Sequence, residues 1–121
     1  MRILLADNQS SVRSAMRLLL EQQPEMNIIE EVTDAQELMD YVNNYCPDML
    51  LLDWDLPGKP PEKLLMKLRD SYPNLIIIAL NSSPQTRQAA LGAGASEFVS
   101  KNDPPEYLLA AVRNTRIKGK K

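Results

Sequence analysis

The stretch Asp48-Met49-Leu50-Leu51-Leu52-Asp53-Trp54-Asp55-Leu56-Pro57-Gly58 constrains this chain more than any other. An apolar run of strand length stops at a carboxylate, and a Pro-Gly turn follows at once. A strand of that composition is buried on both faces, as in a parallel sheet covered by helices. Asp53 then stands at the strand's carboxyl end, where open α/β sheets place their ligands. A carboxylate closing so apolar a run requires a partner or a purpose, because an unpaired buried charge is unfavourable.

With 121 residues, 44% hydrophobic and 25% charged, the chain fits one ordinary globular domain with its own core. A net charge of −2 argues against wholesale nucleic-acid binding. The sequence has no histidine, which excludes a His triad, a His zinc site and a His general base. Its one cysteine, Cys46, excludes an internal disulfide and fits a reducing compartment. The opening Met1-Arg2-Ile3-Leu4-Leu5-Ala6 meets Asp7 too early for a signal-peptide core, and no apolar stretch approaches membrane-spanning length. These bounds predict a small soluble domain of the cytoplasm, with no membrane contact.

Taken in order, Ile3 to Ala6 reads as the first strand. Val12, Ala15, Met16, Leu19 and Leu20 recur at helical spacing, predicting a helix over residues 9–22 that Pro24 stops. Asn27 to Val32 is a second strand, whose Glu30 and Glu31 suit an edge. Thr33 with Gln36 fits a capping box, opening a helix with Leu38, Tyr41, Val42 and Tyr45 inward. After the Met49–Asp53 strand, Pro61 to Ser71 reads as a helix burying Leu64, Leu65 and Leu68. Leu75 to Leu80 is the second centrally buried strand. Asn81-Ser82-Ser83-Pro84 reads as a cap with proline at the first helical position, and that helix ends at Gly92-Ala93-Gly94. Ser96 to Ser100 is a short fifth strand, and Asp103 can cap a last helix carrying Leu108, Leu109 and Val112 inward. Strict β-α alternation predicts an α/β fold, a parallel sheet with helices on both faces and right-handed crossovers. Residues 1–117 form the domain, and 118–121 are a basic tail or the start of a linker.

Parallel strands share one carboxyl edge. That edge gathers Asp7 and Asn8 after the first strand, Asp53 and Asp55 around the end of the third, Asn81 and Ser82 after the fourth, and Lys101 after the fifth. Carboxylates brought together repel unless a cation offsets them. Oxygen ligands without His or Cys suit a hard hydrated ion, so Mg²⁺ is the natural guess. Each residue also has a plainer role open to it: Asp7, Asn8, Asn81 and Ser82 as helix caps, Lys101 as a solvated surface lysine. Their joint arrangement at four strand ends favours a site.

With these residues in view, the chain from Ile3 to about Arg116 resembles the receiver domains of two-component response regulators. The Asp48–Gly58 segment matches the family's phosphoacceptor strand and Pro-Gly turn, and Ala93-Gly94-Ala95 with Phe98-Val99-Ser100-Lys101 matches its later spacing. The resemblance implies a (βα)5, flavodoxin-like fold with strand order 2-1-3-4-5. It implies that Asp53 accepts a phosphoryl group from a sensor histidine kinase or phosphotransfer protein. Asp7, Asn8, Asp53 and the backbone carbonyl of Asp55 would hold Mg²⁺. Lys101, with Asn81 and Ser82, would contact the phosphate, and Phe98 would be the switch aromatic. No turnover of an external substrate is implied, so the chain is not expected to be an enzyme. Lys101-Asn102-Asp103-Pro104-Pro105-Glu106 is similar to receivers joined to a helix-turn-helix output domain.

The sequence departs from the family pattern in four places. Asn8 stands at the second acidic position, so weaker Mg²⁺ binding is expected. Asn81 stands where a Ser or Thr hydroxyl is usual, with Ser82 as the nearby substitute. The segment between strand four and its helix is about two residues short, and Asn102 replaces the proline common after the lysine. These changes support an alternative, a degenerate receiver serving as a phosphorylation-independent interaction or dimerisation module. A remoter resemblance joins Asp53-Trp54-Asp55 to haloacid-dehalogenase-type phosphatases, but those carry the motif on the first strand and need later acidic residues. The output domain lies outside this stretch, and homodimerisation through helices one and five, or four and five, is compatible with the fold.

Overall fold

The computed structural model describes the backbone of residues 1–119 and side chains as far as Arg116. The chain alternates strictly: β1 (Arg2–Ala6), α1 (Ser10–Glu21), β2 (Asn27–Val32), α2 (Ala35–Tyr45), β3 (Met49–Asp53), α3 (Pro61–Ser71), β4 (Ile76–Asn81), α4 (Thr86–Ala93), β5 (Glu97–Ser100) and α5 (Pro105–Gly119). The strands form one five-stranded sheet in the order β2-β1-β3-β4-β5, with every pairing parallel. The predicted fold and strand order are those observed. In the predicted tail, Lys120 and Lys121 lie outside the described residues.

Strand periodicity explains why the apolar runs had to be so pure. Leu4, Ala6, Leu50, Leu52, Ile77 and Ala79 join the core beneath α2, α3 and α4, which includes Leu38, Leu64 and Leu68. Their alternating neighbours Ile3, Leu5, Met49, Leu51, Ile76 and Ile78 join the opposite core beneath α1 and α5, with Met16, Leu20 and Val112. Successive side chains point to opposite faces, so a strand covered on both sides admits no polar position before its end. β2 carries Glu30 and Glu31 because it is an edge, as its composition suggested. Its pairing with β1 slips between Ile3 and Leu4, so that Ile3 faces Ile28 but Leu4 faces Glu30.

Several local readings are corrected. α2 is capped by Asp34, whose carboxylate accepts from the Glu37 amide, while Glu37 turns back to Thr33. The capping pair is thus displaced one residue from Thr33 and Gln36, and Gln36 bonds Asp40 instead. Met39 is buried on α2, whereas Tyr45, predicted inward, is 58% exposed, and Tyr41 is half-buried. Ala15 is exposed on α1. α4 starts at Thr86, so Pro84 lies in the preceding turn, where its carbonyl accepts from Arg87. Asp103 turns back to the Ser100 amide. At α2 a neighbouring polar side chain satisfies the same backbone requirement, whereas α4 has no side-chain cap.

Two glycines fit tertiary contacts. Gly58, at φ +115°, brings the turn after β3 against α2, where a Cβ would lie 3.0 Å from the Ala35 Cβ. Gly94, at φ +117°, ends α4 against Arg69, and a Cβ there would meet Arg69 side-chain carbons at 3.2 and 3.3 Å. Arg69 itself donates to the carbonyls of Gly94, Pro73 and Leu75 at 3.0, 2.9 and 2.7 Å, pinning the end of α3 to the entry of β4 and the approach to β5. Gly92, two residues earlier and helical, has nothing within 4 Å of such a Cβ. Gly94→Ala is therefore expected to destabilise by about 1–2 kcal/mol. Gly92→Ala should stabilise by about 0.5–1 kcal/mol. Urea denaturation of the two variants checks this, and equal signs would contradict the geometry.

Candidate functional site

The sheet register builds the site. Ala6 pairs with Leu52 and Asp53 with Leu80, so Asp7, Asp53 and Asn81 leave the carboxyl edge side by side on neighbouring strands. Asn81 pairs with Ser100, which brings Lys101 to the same edge, and the Lys101 amide donates to the Asn81 carbonyl. The burial that the flanking apolar residues impose extends to the polar ends: Asp7 is 0% and Asp53 2% exposed.

The Lys101 ammonium lies 2.8 Å from Asp7 Oδ2 and 3.2 Å from Asp53 Oδ1. Asp53 Oδ1 also accepts from the Asp55 amide at 3.1 Å. Asp7 Oδ1 accepts from the Gln9 amide at 2.9 Å. Asp7 Oδ2 accepts no well-directed hydrogen bond, although it is fully enclosed and close to Lys101. A lone pair left over on a buried carboxylate is where a further cation would be accommodated. Burial pushes the Asp53 carboxyl pKa above the ordinary carboxylate value, the Asp7 charge adds to this, and the Asp55 amide and Lys101 oppose it. For Lys101, burial acts to lower the pKa, but the contacts with Asp7 and Asp53 outweigh it and hold the ammonium above its ordinary value.

A second set of contacts surrounds Asn81, which is 4% exposed. Its Nδ2 donates to Asp55 Oδ2 at 3.0 Å, and its Oδ1 accepts from the Ser83 amide at 2.8 Å. Ser82 is exposed, and its carbonyl accepts from Asn102 Nδ2 at 3.0 Å. The structure thus brings Asp7, Asp53 and Lys101 into direct contact, and ties Asn81 to Asp55. Asn8 and the Ser82 side chain stand at the exposed rim. Phe98 is apart from the cluster, 5% exposed in the core beneath α2, α3 and α4. Two supporting residues escaped sequence reasoning. Gln9 reaches Lys101 at 3.5 Å, and Arg13 donates to the Asp7 carbonyl at 2.8 Å while paired with Glu31 at 2.9 Å. Neither carries a local signal: a glutamine and an arginine at a helix start are ordinary surface residues.

Residues 3–113 match the family model described as the response regulator receiver domain. The chain belongs to the response-regulator receiver family. Members are signalling modules, distinct from the haloacid-dehalogenase-type phosphatases. The chain is similar to the oxygen regulatory protein NreC of Staphylococcus aureus, 33% identical over 118 residues, covering 93% of this chain and 54% of that protein. Among solved structures, a LuxR-family two-component response regulator from Aurantimonas is 28% identical with a TM-score of 0.86, covering 93% of this chain and 82% of that one. The isolated receiver of RcsB from Salmonella enterica, determined in the presence of phosphomimetic BeF3⁻, is 26% identical with a TM-score of 0.84 and coverages of 94% and 88%. The chain spans about half the length of the curated relatives it matches. Among the described residues no helix is long and apolar enough to cross a membrane.

The charge balance of this receiver predicts its pH dependence. A raised folded-state pKa means that folding favours protonated Asp53, so the ionised carboxylate costs stability at neutral pH. That cost disappears as pH falls through the raised value. Lys101 has the converse role: its charged form is favoured by folding, and its contribution is lost only in strongly alkaline solution. Asp53→Asn leaves Lys101 paired with Asp7 and should stabilise the protein at pH 7 by on the order of 1 kcal/mol, about 4 °C in Tm. The two proteins should converge as the pH is lowered, which thermal unfolding across pH measures; an Asn variant less stable at pH 7 would contradict the balance.

Proposed function

We propose that the chain is the phosphoacceptor receiver of a two-component response regulator, with Asp53 as the acceptor. The observation that carries this reading is a buried carboxylate of raised pKa, held between a second carboxylate and a lysine at the sheet's carboxyl edge. Asp53 Oδ1 is occupied by the Asp55 amide and Lys101, which leaves Oδ2 to attack phosphorus. The bond from phosphorus to the donor's histidine nitrogen breaks as the Asp53 oxygen bond forms, and the electron pair leaves with the imidazole of a sensor histidine kinase or phosphotransfer protein. Lys101 then balances charge on the transferred group.

The residues fit Mg²⁺ in the nature of their donors. Asp7 supplies an enclosed oxygen without a hydrogen bond, Asp53 a second carboxylate and Asp55 a backbone carbonyl, all hard oxygen ligands. Bound there, Mg²⁺ supplies Lewis-acid neutralisation of the phosphoryl oxygens. No group of three or more His, Cys, Asp or Glu side chains is placed to hold a metal among the described residues. Asn8, where the family has a second acid, makes the carboxylate set smaller, and weakened affinity is part of the proposal. Asn81 and Ser82, with Lys101, are the proposed contacts of a phosphoryl group on Asp53, and Phe98 is the proposed switch aromatic. Residues 1–117 are proposed to constitute the receiver, and 118–121 to be a basic tail or the start of a linker. A DNA-binding output, on a longer parent chain or a separate protein, is proposed by likeness to RcsB of Salmonella enterica, 26% identical, which has been solved bound to the promoter rprA, with the whole acting in the cytoplasm. The chain is proposed to bind no nucleic acid directly.

The two asparagines favour a second reading, a receiver that acts as an interaction module, a homodimer included, with little phosphorylation. Incubation with acetyl phosphate and Mg²⁺ followed by intact-mass measurement separates the two. The first predicts addition of one phosphoryl mass, abolished by Asp53→Asn, and quenching of Trp54 as Mg²⁺ is titrated. A folded protein that gains no mass under these conditions sinks the phosphoacceptor reading.

A further inference from the structure

The bond between Asn81 and Asp55 has a function of its own, and we propose that the Asp55 side chain is a positioning residue that holds the Asn81 amide away from the phosphoryl position in the resting domain. This inference rests on the phosphoacceptor reading of Asp53. The orientation of the Asn81 amide is fixed at one end, because its oxygen accepts from the Ser83 amide at 2.8 Å. Its NH₂ must therefore be the donating end, and that end is committed to Asp55 Oδ2 at 3.0 Å.

The two partners differ in freedom. Asn81 is 4% exposed at the end of β4 and cannot turn to water. Asp55 is exposed, so its carboxylate can swing out and be solvated with little penalty. Asp55 is also tied to the acceptor through its own amide, which donates to Asp53 Oδ1 at 3.1 Å. An anionic phosphoryl group on Asp53 repels the neighbouring Asp55 carboxylate and offers oxygens to the same NH₂. The exchange that results moves Asp55 out and leaves Asn81 bonded to the phosphoryl group. Asn81 also holds the Ser83 amide, and Asn102 holds the Ser82 carbonyl, so this exchange reaches the loop leading to α4. The device links Asp53 to that loop without a hydroxyl at position 81.

Side-chain and backbone amide resonances of Asn81 and Ser83, recorded with and without beryllofluoride and Mg²⁺, test this together with the rate of phosphorylation from acetyl phosphate followed by intact mass. In Asp55→Ala the free-state Asn81 NH₂ resonances should already be displaced from wild type. Phosphorylation should be about fivefold faster, equivalent to ~1 kcal/mol. Asp55→Asn, which keeps an uncharged acceptor for the amide, should fall between the two. Unchanged free-state Asn81 resonances in Asp55→Ala, or an unchanged rate while the phosphoryl adduct forms, overturn the holding role alone. Absence of any adduct in all three proteins overturns the phosphoacceptor reading and this inference with it.

Discussion

One ammonium between two enclosed carboxylates is the interaction on which the edge of this sheet depends. Asp7 and Asp53 close neighbouring strands that are buried on both faces, so neither can be hydrated as a surface carboxylate is. Lys101 arrives from the far side of β4 and meets both. The order of the strands is what makes this geometry available: β1 and β3 are adjacent, and β5 lies beyond β4, two strands from β3. Without that cation, like charges at the ends of two core strands would drive one of them to hold a proton. The parts that frame the site follow from the same demand. The Gln9 amide holds one oxygen of the Asp7 carboxylate, Arg13 holds the Asp7 carbonyl, and the Asp55 amide fixes one oxygen of Asp53.

Much of this was legible in the sequence because burial leaves a compositional trace. Met49 to Leu52 and Ile76 to Leu80 supply both cores at once and could belong only to central strands, and the edge nature of β2 was written in Glu30 and Glu31. The positions of Asp7, Asp53, Asn81 and Lys101 followed from strand ends alone. What could not be read was the choice among equivalent polar groups. Thr33, Asp34 and Gln36 with Glu37 satisfy similar capping patterns, and only the turn at Gly58, packed on Ala35, fixes where α2 begins. The buried face of α2 runs through Ala35, Leu38, Met39 and Val42, and the amphipathic Tyr45 at its last residue goes to the surface.

Long-range polar contacts were the least accessible. The bond from Asn81 to Asp55 joins residues 26 apart, and that from Asn102 to Ser82 joins residues 20 apart. No periodicity announces either. The sequence shows an asparagine where a hydroxyl is customary and so registers a loss. The structure shows that the same amide is anchored at both ends, which turns an apparent defect into a connection between two loops.

The charges on β2 carry a further consequence. This strand forms one margin of the sheet, and its Glu31 is clamped by Arg13 and Arg17 from α1 while Glu30 is exposed. A strand from another molecule approaching this margin would have to displace or desolvate those groups, and the slipped register at Leu4 further disturbs the regular row of backbone donors and acceptors. Growth of the sheet from molecule to molecule across the β2 margin is thereby discouraged.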